Sequence, residues 1–333
     1  MSEITRRQLL LALPGLAVAP RLFGQSGKPT IPLKGFNNFR LNVSDVKRSV
    51  DFYQGLFGMP IQARQGETVI LRIGAGPQFM ALAPAASAPP NIAHMGLGVD
   101  NFNADRLVGI LTQHGFTKSD ASGPMKARVT DRSGTKELFF GDPDGLLVQL
   151  QDASYCGGSG PLGNVCRSVE PSPKKGLIAV KDISHFTNSV SDGAKANEFY
   201  GALFGIKVRA RQGASVGLGV GPTVGFVMFT GGGGRGGATP PRPASIGHVC
   251  MSLDKFVPDE ILKTLTSYGI SARGEGRGAV GPMKHYISMR MPDRGGAPEG
   301  TPELYFTDPD GLLIQLQDTS YCGGGGFLGN VCN

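Results

Sequence analysis

Apolar and polar residues alternate along Phe39-Arg40-Leu41-Asn42-Val43, the period of a half-buried strand. The period then changes. Val50, Tyr53 and Phe57 fall on one face of a helix, with Ser44 or Asp45 as N-cap and Gly58 as C-cap. Apolar stretches at Thr68–Ile73 and Phe79–Leu82 predict short strands, after which the unit restarts with a strand over His94–Val99 and a helix over Asn103–Gln113. Strand-like stretches follow at Ala127–Thr130 and Glu137–Phe140, and the turn Asp142-Pro143-Asp144-Gly145 launches a last strand over Leu146–Leu150.

The whole pattern is given twice. Phe52-Tyr53 then Leu56-Phe57-Gly58 returns as Phe199-Tyr200 then Leu203-Phe204-Gly205, and Ala63-Arg64-Gln65-Gly66 returns as Ala210-Arg211-Gln212-Gly213. Gly123-Pro124-Met125-Lys126 returns as Gly281-Pro282-Met283-Lys284, and the Asp-Pro-Asp-Gly turn returns at 308–311. Strand, helix and several strands, repeated, predict an α+β protein of two tandem domains over 33–166 and 177–332. The polar, Pro-punctuated stretch 167–176 reads as a linker. The second repeat carries two insertions, Gly231–Pro243 and around Pro292–Thr301, read as loops at the edge of a site or as solvated hairpin tips.

Composition adds little. The 333 residues carry a net charge of +7, but Lys and Arg are scattered and Trp is absent, so neither a nucleic-acid footprint nor a base-stacking ladder is present. The first residues change the picture more. Arg6-Arg7 precede an apolar run of roughly eleven residues, well short of the about 20 that span a bilayer. Residues 1–26 therefore read as a twin-arginine export signal, cleaved or left uncut as a tether, with a periplasmic or extracellular destination and no membrane span once the signal is gone. Four of the five cysteines form two matching pairs in Gly-rich tails, Cys156 with Cys166 and Cys322 with Cys332. They read as disulfides, each worth about 2–3 kcal/mol on the chain-entropy model, or else as one four-thiolate zinc site if the tails meet. Cys250 is left as a free cysteine.

Val-Ser-Asp after the first strand, Phe-Tyr then Leu-Phe-Gly in the helix, and Asp-Pro-Asp-Gly before the last strand together resemble the vicinal oxygen chelate superfamily, which includes glyoxalases, bleomycin-resistance proteins and extradiol dioxygenases. The resemblance covers both repeats and implies paired βαβββ units curled into a metal-holding cup. In the second repeat it implies His185 and His248 as ligands and Gln315 at the position where the family ordinarily has Glu. A substitute carboxylate, Glu303, shares a strand face with Tyr305, which falls where extradiol dioxygenases carry an active-site tyrosine. His285 is a candidate acid or base in the cavity wall. The first repeat offers Asn38, His94 and Gln149, with Phe139 in place of Tyr305, and is expected to be metal-free or weak.

Two imidazoles and one oxygen donor on one face of a divalent ion leave positions open for a bidentate substrate. The resemblance therefore implies a metal-dependent enzyme, of dioxygenase or glyoxalase and lyase type, using Fe(II) foremost, or Mn(II) or Zn(II), on a small oxygenated molecule. A metal-free protein that sequesters small molecules is the alternative, and a purely structural exported protein is a third. The chain is expected to act as a monomer or homodimer.

Overall fold

The first repeat runs β1 (Gly35–Val43), α1 (Val46–Phe57), β2 (Ile61–Gln65), β3 (Thr68–Arg72), β4 (Phe79–Pro84), β5 (Asn91–Val99), α2 (Ala104–Gln113), β6 (Thr117–Lys118), β7 (Lys126–Arg132), β8 (Thr135–Gly141) and β9 (Leu147–Asp152) in a computed structural model that describes residues 27–167, 169–231, 243–275 and 280–332. The second repeats the order as β10 (Val180–Ser189), α3 (Gly193–Phe204), β11 (Val208–Gln212), β12 (Ser215–Gly219), β13 (Phe226–Thr230), β14 (Ser245–Leu253), α4 (Pro258–Ser267), β15 (Ser271–Ala272), β16 (Lys284–Arg290), β17 (Thr301–Thr307) and β18 (Leu313–Asp318). The export segment 1–26 and most of the first insertion lie outside the described residues. Among the described residues no helix is long and apolar enough to cross a membrane.

Each repeat forms one nine-stranded mixed sheet, ordered β2-β3-β4-β1-β5-β9-β8-β7-β6 and β11-β12-β13-β10-β14-β18-β17-β16-β15. The first strand of each βαβββ unit meets the other at the centre, β1 antiparallel to β5 and β10 antiparallel to β14. Strand β1 begins before the stretch that alternates, because its N-terminal half is buried on both faces and so shows no period of two, and β5 begins at Asn91, three residues before His94. Of the two proposed N-caps the helix uses Asp45, whose side chain accepts from the Arg48 N–H, and Gly58 ends it at φ 67°, a left-handed position that suits glycine.

The helix-bearing faces of the two sheets press together into one core. The contacts are reciprocal. Tyr53 of α1 donates to Asp308 Oδ2 at 3.0 Å, and Tyr200 of α3 donates to Asp142 Oδ2 at 3.1 Å. Likewise the Ile31 N–H donates to Leu203 O, and the Ile178 N–H to Leu56 O. The Phe-Tyr and Asp-Pro-Asp-Gly motifs thus meet across the repeats, within one chain. The expected linker is held rather than free: Glu170 pairs by backbone with Ile61 and by both carboxylate oxygens with Arg64.

Both tails close as disulfides, Cys156–Cys166 and Cys322–Cys332, so the four-thiolate zinc alternative does not hold. Cys250 is free and buried.

Burial pushes Asp142 and Asp308 up to about 6, against the hydrogen bonds from Tyr200, Tyr53 and backbone N–H groups that favour the carboxylate. An unfolded Asp titrates near 3.9, so between about pH 4 and 6 the native state holds protons that the unfolded chain has released. The stability they give is full below about pH 4 and is lost as pH rises through 6. On going from pH 7 to pH 5 the native protein should gain on the order of 1 kcal/mol per site relative to the D142N/D308N variant, read as diverging Tm values. Parallel Tm curves would reject this.

Candidate functional site

Four adjacent strands of the second sheet, β10, β14, β18 and β17, carry the sequence candidates. Register sets His185, Cys250 and Gln315 in one row, each opposite the next. The outer two would stand about 10 Å apart by strand spacing, but long side chains can close over the short Cys250 between them. They do: His185 Nε2 lies 3.0 Å from Gln315 Oε1. His248, two residues before Cys250 and on its face, places its Nε2 3.4 Å from His185 Nε2. The three expected donors therefore meet.

Their surroundings fix them. His185 and Gln315 are buried, and the His185 ring stacks on Phe226 with centroids 4.4 Å apart. Ser184 Oγ lies 3.3 Å from His185 Nδ1, an orienting contact on the ring nitrogen that points away from the cluster. His248 meets the Tyr305 ring edge-on at 5.3 Å. Burial pulls the His185 imidazolium well below its ordinary value and His248 down to about 4, so both rings are neutral at pH 7 and keep a lone pair.

This donor set fits one divalent ion. Ligand atoms bound at about 2.1 Å stand roughly 3.4 Å apart at a tetrahedral angle and roughly 3.0 Å apart at a right angle, which are the His185–His248 and His185–Gln315 spacings. Among the described residues no cluster of three or more His, Cys, Asp or Glu side chains could hold a metal, because the third donor is an amide. A neutral set binds more weakly than one with a carboxylate. Gln315 Nε2 is also buried without a hydrogen-bond partner, an energetic cost that the amide oxygen's placement imposes.

Glu303 lines the same cavity but is already engaged. Its Oε1 accepts from Arg290 Nε at 2.8 Å and from Tyr321 OH at 3.0 Å, and its Oε2 from Tyr305 OH at 3.3 Å. Arg290, wholly buried, also donates to the carbonyls of Gly295 and Gly324. The first repeat builds the same device without a histidine pair: Arg132 and Tyr155 both donate to Glu137. In each repeat a glutamine, Gln65 or Gln212, ties the tyrosine and the following glycine carbonyl to the sheet. Glu303 is thus assigned to pinning the disulfide tail, which corrects its reading as a substitute ligand. The repeated Gln-Gly and Tyr-Cys pairs were the sequence signal for this network.

His285 is also corrected. On β16 it lies opposite Phe306, while Tyr286 lies opposite Tyr305 and stacks on it at 5.1 Å. His285 faces α4 instead, with Nε2 2.8 Å from Thr266 Oγ1, and does not line the cavity.

The cavity holds about 130 Å³ and is walled by Thr187, Met228, Phe226, Tyr321 and Tyr305, with Arg294 from the second insertion at its edge. That volume is comparable with the roughly 150 Å³ that accepts benzene in an engineered cavity, so it has room for a small molecule. Tyr305 is held well above its ordinary phenol value by burial and then by Glu303, so it serves as a neutral donor.

In the first repeat His94 Nε2 lies 3.0 Å from Asn38 Oδ1, and Gln149 contacts the same ring. Gly96 takes the place of Cys250 because a Cβ there would come within 2.3 Å of Asn38 Nδ2. One imidazole with two amides is a poor chelator.

Residues 35–150 match the model described as the Glyoxalase/Bleomycin resistance protein/Dioxygenase superfamily. Solved structures with similar folds include the 2,3-dioxygenase LapB from Pseudomonas sp. KL28, at 15% identity and TM-score 0.59, covering 86% of this chain and 93% of that one. Homoprotocatechuate 2,3-dioxygenase from Brevibacterium fuscum, in complex with 3,4-dihydroxyphenylacetate, is similar at 17% identity and TM-score 0.59, covering 89% and 84%. A catechol 2,3-dioxygenase matches at 15% identity and TM-score 0.57, covering 89% and 88%.

Proposed function

Because its residues 35–150 match the model of the Glyoxalase/Bleomycin resistance protein/Dioxygenase superfamily and its second half repeats the same fold, we propose that the second repeat is a metal-dependent active site for a small oxygenated molecule. The observation that carries this is the convergence of His185 Nε2, His248 Nε2 and Gln315 Oε1 at the base of an open cavity. His185, His248 and Gln315 would hold the ion, Fe(II) foremost, or Mn(II) or Zn(II). When bound, it would supply Lewis acidity and a site for chelating vicinal oxygens.

The chain's own residues do the rest. Phe226 and Tyr321 wall the cluster from water and keep His185 in place. Tyr305, protonated, donates its one hydroxyl hydrogen to Glu303, which orients it, and presents its oxygen to accept from a substrate hydroxyl. Ring cleavage of a catechol-like guest is the reaction most in keeping with the dioxygenase-like fold and the ring-sized cavity. Export by the twin-arginine route to the periplasm or beyond belongs to the same proposal. It is supported by Arg6-Arg7, the apolar run after them, and two disulfides suited to an oxidising compartment.

Metal analysis of the full chain, folded through its own export route, should find about one divalent ion per chain, and His248→Ala should lower its affinity on the order of 100-fold or more. Retention of the ion by that variant would reject the site. Absence of metal from the native protein would favour the second reading, a metal-free binding cup. That reading draws on the 3.0 Å His185–Gln315 contact, which also serves as a hydrogen bond, and on the engagement of Glu303 elsewhere.

A further inference from the structure

The cup of the first repeat is lined differently from that of the second. Along matching strands, His185, Thr187, Tyr286 and Tyr305 are replaced by Asn38, Arg40, Arg128 and Phe139. Arg40 sits opposite His94 in register, the His94 ring lies 5.6 Å from Phe139, and Arg128 Cζ stands 5.6 Å from the same Phe139 ring. Two half-buried guanidinium groups thus flank a histidine and an aromatic face.

Among the described residues neither Arg40 nor Arg128 makes a salt bridge. Arg40 donates only to Asn42 Oδ1, and Arg128 Nε is buried with no partner at all. The nearby carboxylate, Glu137, is taken by Arg132 and Tyr155. Burial pulls the Arg40 guanidinium below its ordinary value with no acidic group opposing, and Arg40 in turn disfavours charge on His94. Orphaned, partly desolvated cations are costly unless an anion meets them. These charges also repel a divalent cation, so the two cups differ in the sign of what they attract.

We propose that the cup of the first repeat, through Arg40 and Arg128 on either side of His94 and Phe139, binds a small planar organic carboxylate without a metal. A guanidinium presents parallel N–H groups that match the two oxygens of a carboxylate, and the Phe139 face suits a flat body attached to it. This site is independent of the proposed activity of the second repeat.

Titration calorimetry of the full chain with benzoate tests it. Benzoate should bind at one site per chain, and Arg40→Gln and Arg128→Gln should each weaken it about tenfold or more, whereas Arg128→Lys, which keeps the charge but not the fork, should fall between. Benzamide, uncharged but of the same shape, and inorganic phosphate should bind at least about tenfold more weakly. His248→Ala should leave the benzoate affinity unchanged, which separates this cup from the second. Failure of benzoate to bind, unchanged binding in both Gln variants with native circular dichroism, or phosphate binding as tight as benzoate would each overturn the assignment.

Discussion

Glu303→Ala should destabilise the protein by about 3–5 kcal/mol, the cost of leaving a buried cation without its partner. Arg290 is wholly buried, and among the described residues Glu303 supplies its only carboxylate. Two backbone carbonyls remain to it after truncation, but they carry no net charge. Tyr321 and Tyr305 lose an acceptor at the same time, so the disulfide tail loosens from the sheet. Urea unfolding reads the effect as a lowered midpoint at unchanged slope. Arg290→Met in the Glu303→Ala background should recover a large part, since the unpaired charge is then gone. A loss under about 1 kcal/mol would show that the network stabilises little. Because Glu303 is engaged by Arg290, Tyr321 and Tyr305, the folded variant should keep whatever ion the native protein holds.

Phe306→Ala should cost about 3–5 kcal/mol as well, for a different reason: it opens a cavity where the two repeats meet. Phe306 is fully buried on β17 and packs on Phe52 and Phe57 of α1, with centroids 6.4 and 6.0 Å away. Those partners belong to the other repeat, so the variant should lower the stability of both halves in a single transition. Tyr268, whose hydroxyl donates to Phe52 O, ties the same seam. Two separate unfolding steps in the native protein, with only the second shifted by Phe306→Ala, would show that the repeats are independent domains.

Much of this was legible along the chain. The periods of strand and helix, the caps at Asp45 and Gly58, the duplication and the paired tail cysteines each rest on residues near one another in sequence. Their physics is local: a backbone period, a dihedral preference, a short loop to close. His285 shows the limit. Its place in β16 was legible, but the face it presents depends on which residue of β17 it pairs with, and a shift of one residue sends it to the opposite side. Ile287 shares its parity, and an apolar neighbour two positions on was the available sign that this face meets the core.

The sequence by itself determined that this chain is two copies of one α+β unit and that His185, His248 and Gln315 occupy corresponding positions on separate strands. Only the tertiary structure decided that these three meet over Cys250, that Glu303 is bound to Arg290 and Tyr321, and that among the described residues neither Arg40 nor Arg128 makes a salt bridge. Those contacts join residues 13 to 130 positions apart. They follow from sheet register and curvature, which arise when distant strands pair and the two sheets pack, and which no short stretch of sequence specifies.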